Sequence, residues 1–193
     1  MRLIDDVECG PACRFGDAHI YYALSLLDKE KPLSRRDLSD ATQIGEGSIR
    51  KIIDILKEWR AISVKQTGII ITDAGRELME RIPITMIEME KSAYAMGAFQ
   101  QGVLVHGAAD KITNGMYQRD RGIIAGANGA SVFIIKDGKL IMPKSWDMDT
   151  RDPEFARSLR GKGMKEGDAV IISGASDINI AAIAAISIAL DLL

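Results

Sequence analysis

Residues 33–72, LSRRDLSDATQIGEGSIRKIIDILKEWRAISVKQTGIIIT, limit the possible folds more than any other stretch of the chain. Ser34 is placed to cap a short helix whose first turn carries Asp37 and whose Leu38 and Ala41 face inward. Gln43 to Gly47 reads as a turn. From about Gly47 to Trp59, Ile49, Ile52, Ile53 and Leu56 recur at helical spacing and leave Ser48, Arg50, Lys51 and Asp54 on the outward face. Two short apolar runs, 61–65 and 69–71, flank Gln66-Thr67-Gly68 and predict a hairpin. Thr72 opens another helix, in which Leu78, Met79 and Ile82 are apolar, and Pro83 stops or redirects it.

A further helix comes first. Asp17 is its expected N-cap, and Ile20, Ala23, Leu24 and Leu27 make one apolar stripe that ends before Lys31-Pro32. Helix, helix, turn, helix, hairpin is the order of a winged helix-turn-helix, in which the early residues of the third helix enter the major groove. Ser48, Arg50 and Lys51 are therefore expected at DNA, with Arg35 and Arg36 near the backbone and Lys65 and Thr67 on the wing. Competing readings are a solvated face on an ordinary helix, or a winged helix that binds protein or RNA. The net charge of −2 and pI of about 5.8 do not decide among them. Only the window 35–65 tips positive, with Arg35, Arg36, Arg50, Lys51, Lys57, Arg60 and Lys65 against Asp37, Asp40, Glu46, Asp54 and Glu58. Affinity for DNA depends on the few cations that meet phosphates, so a local patch suffices. A continuous positive stripe through Arg35, Arg50 and Lys65 favours DNA, whereas Glu46, Asp54 and Glu58 breaking it favour a protein partner.

The segment SIRKIIDILKEWRAISVKQTGIIITDAGRELMERI resembles the recognition helix, wing and following helix of many prokaryotic winged-helix regulators. Their typical start and closing T-x-x-G-R-x-L stand here as Ser48-Ile49-Arg50 and Thr72-Asp73-Ala74-Gly75-Arg76-Glu77-Leu78. The resemblance covers about residues 17–82 and implies the fold and double-stranded DNA as the partner.

Beyond residue 83 glycine and alanine become frequent and strand-like runs appear. Residues 84–101, with Met86, Ile87, Met89, Tyr94, Met96 and Phe99, are expected as a linking helix that supplies core or subunit contacts. An internal echo follows: Val103-Leu104-Val105-His106-Gly107-Ala108-Ala109-Asp110 resembles Val170-Ile171-Ile172-Ser173-Gly174-Ala175-Ser176-Asp177. Each copy reads as a buried strand, a tight loop and an acid able to cap what comes next. His106, Asp110, Ser173 and Asp177 could bracket a small-molecule effector, or the two acids could be structural caps. The glycine-rich run 122–130 lacks a nucleotide fingerprint and leads into a strand, and Asp137-Gly138 is a strong hairpin signal. A short helix at 153–159, turns near 161–163 and 166–168, a strand and a last helix complete the pattern. The predicted class is α+β: a winged helix-turn-helix over 1–83, a linking segment over 84–101, and over 102–193 a small two-layer domain with helices on a single face of one sheet. The last helix is apolar on nearly every side, so its outer face is expected under the N-terminal arm, the linking helix or another subunit. A homodimer also suits paired half-sites.

An enzyme would have to use His106 with Asp110, a weak pairing without a nucleophile-base-acid order, and no catalytic role or cofactor is expected. Cys9, Cys13 and His19 lack the second ligand pair of a tetrahedral site, so no metal is expected either. Two cysteines and no signal-peptide pattern point to the cytoplasm. The longest uncharged apolar stretch, 178–190, is too short to span a membrane.

GPACRFGDAHIYYALSLLDKEKPLSRRDL, together with the paired VLVHGAAD and VIISGASD segments, resembles an archaeal family of uncharacterised winged-helix proteins, described as transcriptional regulators, with an extra C-terminal domain. That resemblance implies a C-terminal domain similar to the one inserted in bacterial aspartyl-tRNA synthetases and found in an amidotransferase subunit for charged tRNA. It carries over no ligand and no catalytic residue.

Overall fold

The chain divides after Ile82 into two units, Arg2–Ile82 and Pro83–Leu193. A computed structural model describes residues 3, 15–29, 31–144 and 146–193.

The first unit contains α1 (Asp17–Leu27), α2 (Arg35–Thr42), α3 (Glu46–Glu58), β1 (Ile62–Lys65), β2 (Gly68–Ile71) and α4 (Asp73–Arg81). Gly16, and not Asp17, is the N-cap of α1; Asp17 stands one residue later, where its charge complements the helix dipole. The Gly16 N–H donates to Nδ1 of His19 at 3.2 Å, so His19 takes the place that Glu or Gln fills in a capping box. Burial holds this imidazole below its ordinary pKa. A depressed histidine pKa means that its stabilising contribution is full above the unfolded value of about 6.5 and is lost as pH falls through the folded value. Thermal unfolding should therefore show this unit weakening below about pH 6.5, and His19→Gln should flatten that dependence.

Ser34 and Asp37 cap α2 reciprocally: Asp37 N–H donates to Ser34 Oγ at 3.1 Å and Ser34 N–H to Asp37 Oδ2 at 2.7 Å. Donation from Ser34, first from its backbone N–H and then from its hydroxyl, holds the Asp37 carboxyl below the usual range. Gln43 turns the chain in the left-handed region, and Ser39 Oγ donates across the turn to the Ile44 carbonyl. One core gathers Ile20, Leu24 and Leu27 of α1, Leu38 of α2, Ile49, Ile52 and Leu56 of α3, and Ile69 and Ile71 of the wing. The wing strands pair in antiparallel register from Ile62↔Ile71 to Lys65↔Gly68. A single residue, Leu33, adds a one-residue third strand by exchanging both backbone bonds with Ile69 at 3.0 and 2.8 Å, which ties the start of α2 to the wing. Gly68 allows this crossing: it sits at φ 131°, and a Cβ there would lie 3.0 Å from Pro32 Cβ.

The second unit is built on an antiparallel six-stranded sheet of β3 (Ile84–Ile87), β4 (Phe99–Val105), β5 (Gly129–Lys136), β6 (Lys139–Met142), β7 (Trp146–Asp147) and β8 (Ala169–Ala175), in the order β3-β4-β8-β5-β6-β7. Its helices are α5 (Met116–Ile124), α6 (Met148–Arg151), α7 (Pro153–Gly161) and α8 (Ile178–Asp191). Every residue of β8 is buried, as its central place requires. The α+β class is as the sequence implies, but two expectations need correction. Residues 84–101 form no linking helix: Ile84–Ile87 is an edge strand paired with β4, which itself begins at Phe99. Nor are the helices confined to one face. Phe133, Ile135, Val170 and Ile172 pack with Met148 of α6 and Ala156 and Leu159 of α7, whereas α8 and α5 pack against strands β4, β8 and β5, where side chains alternate to the opposite face. On the first of these faces Tyr94, Phe133 and Phe155 form an aromatic cluster with centroids 4.5 to 5.4 Å apart.

Nine residues of α8 are buried in the single chain, so its apolar surface supplies no argument for a second subunit. Asp137 and Gly138 both adopt positive φ in the β5–β6 turn, and Glu166 accepts both of their N–H groups at 2.8 and 2.9 Å.

Candidate nucleic-acid interface

The face of α3 is set by burial. Ile49, Ile52, Ile53, Ile55 and Leu56 are enclosed, so Arg50 and Lys51 are turned to solvent and Ser48 is half-buried beside them. The first turn carries Gly45 as N-cap and no side-chain cap; Ser48 N–H donates back to the Gly45 carbonyl at 3.0 Å. Arg35 and Arg36 are exposed at the start of α2. Lys65 and Thr67 are exposed at the wing tip, Lys65 as the last paired residue before the two-residue loop. Arg36 lies 3.9 Å from Asp40 and Arg50 3.8 Å from Glu46, both along one helix and both with well-exposed side chains. Such pairs contribute little and exchange readily for a phosphate. Glu46 nonetheless places a carboxylate on the face that carries Arg50, one of the interruptions that the sequence names as favouring a protein partner.

The T-x-x-G-R-x-L segment acts on the fold. Thr72 Oγ1 accepts from Gly75 N–H at 3.2 Å and donates to the Arg60 carbonyl at 2.6 Å. Gly75 lies so close to the Ala61 carbonyl that a Cβ would be 2.2 Å from it. Arg76 pairs with Asp28 at the end of α1. Cap, close approach and ion pair together fix where α4 leaves the wing.

The four candidate ligand residues of the second unit are not brought together. Strands β4 and β8 run antiparallel with Val105 opposite Ala169 and Phe99 opposite Ala175, so the equivalent ends of the two echoes lie at opposite ends of the sheet. Asp110 follows β4 and pairs with Lys136 at 3.1 Å. Asp177 caps α8, accepting from Asn179 N–H at 2.7 Å. Ser173 is fully buried with no partner for its hydroxyl among the described residues. His106 pairs with Asp168, not Asp110: Nδ1 lies 3.3 Å from Asp168 Oδ2, and Nε2 3.3 Å from Thr85 Oγ1. The buried Asp168 also accepts from Gly107 N–H at 3.0 Å and Lys165 N–H at 2.9 Å, which makes it the brace of two loops. The Thr85 end of this chain stands exposed on an edge strand, with no walls to exclude water. Asp168 was missed because Gly167-Asp168 has the look of a plain turn before a strand.

His19 is committed to its capping bond, and Cys9 and Cys13 lie outside the described residues. Among the described residues no group of three or more His, Cys, Asp or Glu is placed to hold a metal ion, and no helix is long and apolar enough to cross a membrane. A shallow groove of about 150 Å³ runs beside α5, lined by Asn114, Met116, Arg119, Val132 and Pro143 among others. It is about half the smallest volume usual for a small-molecule site.

A winged helix-turn-helix followed by a sheet domain with helices is thus the class of protein that the fold defines. Residues 96–192, 97 of the 193, match the family model described as a domain of unknown function (DUF4443), and the chain belongs to that family. Residues 19–86 match the model described as the CggR N-terminal DNA binding domain. Among solved structures the chain is similar to a hypothetical protein, PH0730, from Pyrococcus horikoshii OT3, with 24% identity, 92% of each chain covered and a TM-score of 0.73. No curated protein matches.

Proposed function

We propose that this protein is a DNA-binding transcriptional regulator that reads double-stranded DNA with α3. The observation that carries the proposal is the division of that helix into an enclosed isoleucine face and an outward face bearing Ser48, Arg50 and Lys51. The match of residues 19–86 to a DNA-binding domain model supports it. In this reading Arg50 reaches a guanine edge, Ser48 and Lys51 reach phosphates near the helix start, Arg35 and Arg36 hold the backbone from α2, and Lys65 and Thr67 touch it from the wing. The protein works as a dimer in the cytoplasm, so that two recognition helices meet two half-sites. Effector control, if the C-terminal unit exerts it, does not pass through a site made of His106, Asp110, Ser173 and Asp177, since antiparallel pairing separates the two acids. The expected likeness to the domain inserted in bacterial aspartyl-tRNA synthetases contributes nothing to this reading.

Glu46 favours a second reading, a winged helix that docks on protein, because its carboxylate sits beside Arg50. A salt titration on random-sequence duplex separates the two. Phosphate contacts by Arg35, Arg36, Lys51 and Lys65 predict a slope of log K against log salt of about −4 per recognition unit. No measurable binding at low salt by folded protein would instead favour the protein-docking reading.

A further inference from the structure

The outward face of α5 is apolar where a surface helix should be polar. Met116, Tyr117, Ile123 and Ile124 are 59, 60, 44 and 74% exposed, while the face toward the sheet holds buried Gln118 and Gly122. At 3.6 residues per turn these four side chains fall in one arc around Asp120, opposite Gln118 and Gly122. Asn128, just beyond α5, donates to the Gly174 carbonyl, so the C-terminal end of α5 lies at the end of the sheet that also exposes Phe99. We infer that this face is the dimer interface, and that its occupant is the same face of a second copy.

Two observations select a second copy. Within α5 the charges inside or bordering the arc are Asp120, with Arg119 and Arg121 on its two flanks; Arg121 is engaged by Asp191 at 2.5 Å, whereas Arg119 and Asp120 touch only loosely at 3.9 Å. An antiparallel two-fold axis passing between positions 119 and 120 brings the two Asp120 carboxylates together at the centre of the contact, flanked on one side by Arg119 of each protomer, and sets Met116 against Ile123 of the partner subunit. The two arginines offset the two acids, so the face is complementary to itself, as an isologous contact requires. The four exposed apolar residues offer on the order of 500 Å² per protomer, or about 1,000 Å² for the symmetric pair, where specific interfaces begin. The inference rests on the dimeric part of the reading above and names its surface.

Sedimentation of the full chain at micromolar concentration tests it. The wild type should be a dimer and Ile124→Glu a monomer with an unchanged circular dichroism spectrum. Arg119→Asp and Asp120→Arg should each weaken the dimer at least tenfold, and the double exchange should restore it. A monomeric wild type, a dimer that survives Ile124→Glu, or a double exchange that restores nothing overturns the inference. DNA binding is scored on the same samples: a dimer without affinity for DNA leaves the interface standing and defeats the regulator reading. A DNA-binding protein still dimeric as Ile124→Glu does the reverse.

Discussion

Gly75→Ala should cost the winged-helix unit about 3 kcal/mol, at the upper end of overpacking effects, for one added methyl group. The Cβ would sit 2.2 Å from the Ala61 carbonyl oxygen and 2.7 Å from Ile71 Cγ1. The side chain of Ile71 can move, but the Ala61 carbonyl accepts the Thr72 N–H at 3.0 Å, so shifting it breaks the junction of wing and α4. In a unit of this size that loss corresponds to a fall in melting temperature on the order of 15 °C. Gly47→Ala supplies the contrast: no atom lies within 4 Å of its added Cβ, and the residue is exposed in the first turn of α3. There the same change should stabilise by about 0.5 kcal/mol, because alanine has less chain entropy to lose. Amide exchange should show lost protection in α1 to α4 of the Gly75 variant, with β4 and β8 protected as before. Equal and small effects at both positions would contradict the close approach.

Arg50→Ala should weaken binding to the preferred duplex by about tenfold or more and relax its preference at one base position, because a bidentate guanine contact is worth about 1–3 kcal/mol. Lys51→Ala should weaken specific and random duplexes alike and reduce the salt slope by about 1. The structural reason for expecting separable effects is that both side chains are exposed on α3, and the Glu46–Arg50 pair is too open to stabilise the fold appreciably. Melting temperatures should therefore stay at the wild-type value. Fluorescence anisotropy at several salt concentrations reads both effects, and unchanged affinity and base preference in Arg50→Ala would remove it from the interface.

The winged helix was legible because its signals are local. Ser34 and Asp37 are three residues apart, the isoleucines of α3 keep a helical period, and Gln66-Thr67-Gly68 marks a two-strand turn. The Leu33 rung was not, since one residue of β pairing leaves no period to read. Residues 84–87 misled for a different reason: Ile-Thr-Met-Ile is too short to alternate clearly, and the methionine and glutamate that follow favour helix. The two echoes were recognisable as strand-loop-acid segments, and both do contain a strand. Their relative direction is a tertiary property, and antiparallel pairing reversed the inference that Asp110 and Asp177 could share a ligand. Likewise the apolar sequence of α8 pointed to a helix covered on most sides, and nine of its residues are buried, but whether neighbouring elements or a second subunit enclose it depends on topology. The exposed apolar face of α5 went unread because Asn114-Gly115 obscured where that helix begins.

In the proposed function α3 reads duplex DNA. The most direct test is titration of the purified protein against a pool of genomic DNA fragments across a range of salt, with the bound fragments recovered and sequenced. A palindromic site whose half-sites are spaced by about one helical turn should be enriched, bound with an affinity that falls steeply as salt rises. Folded protein that enriches no sequence at low salt would contradict the proposed function.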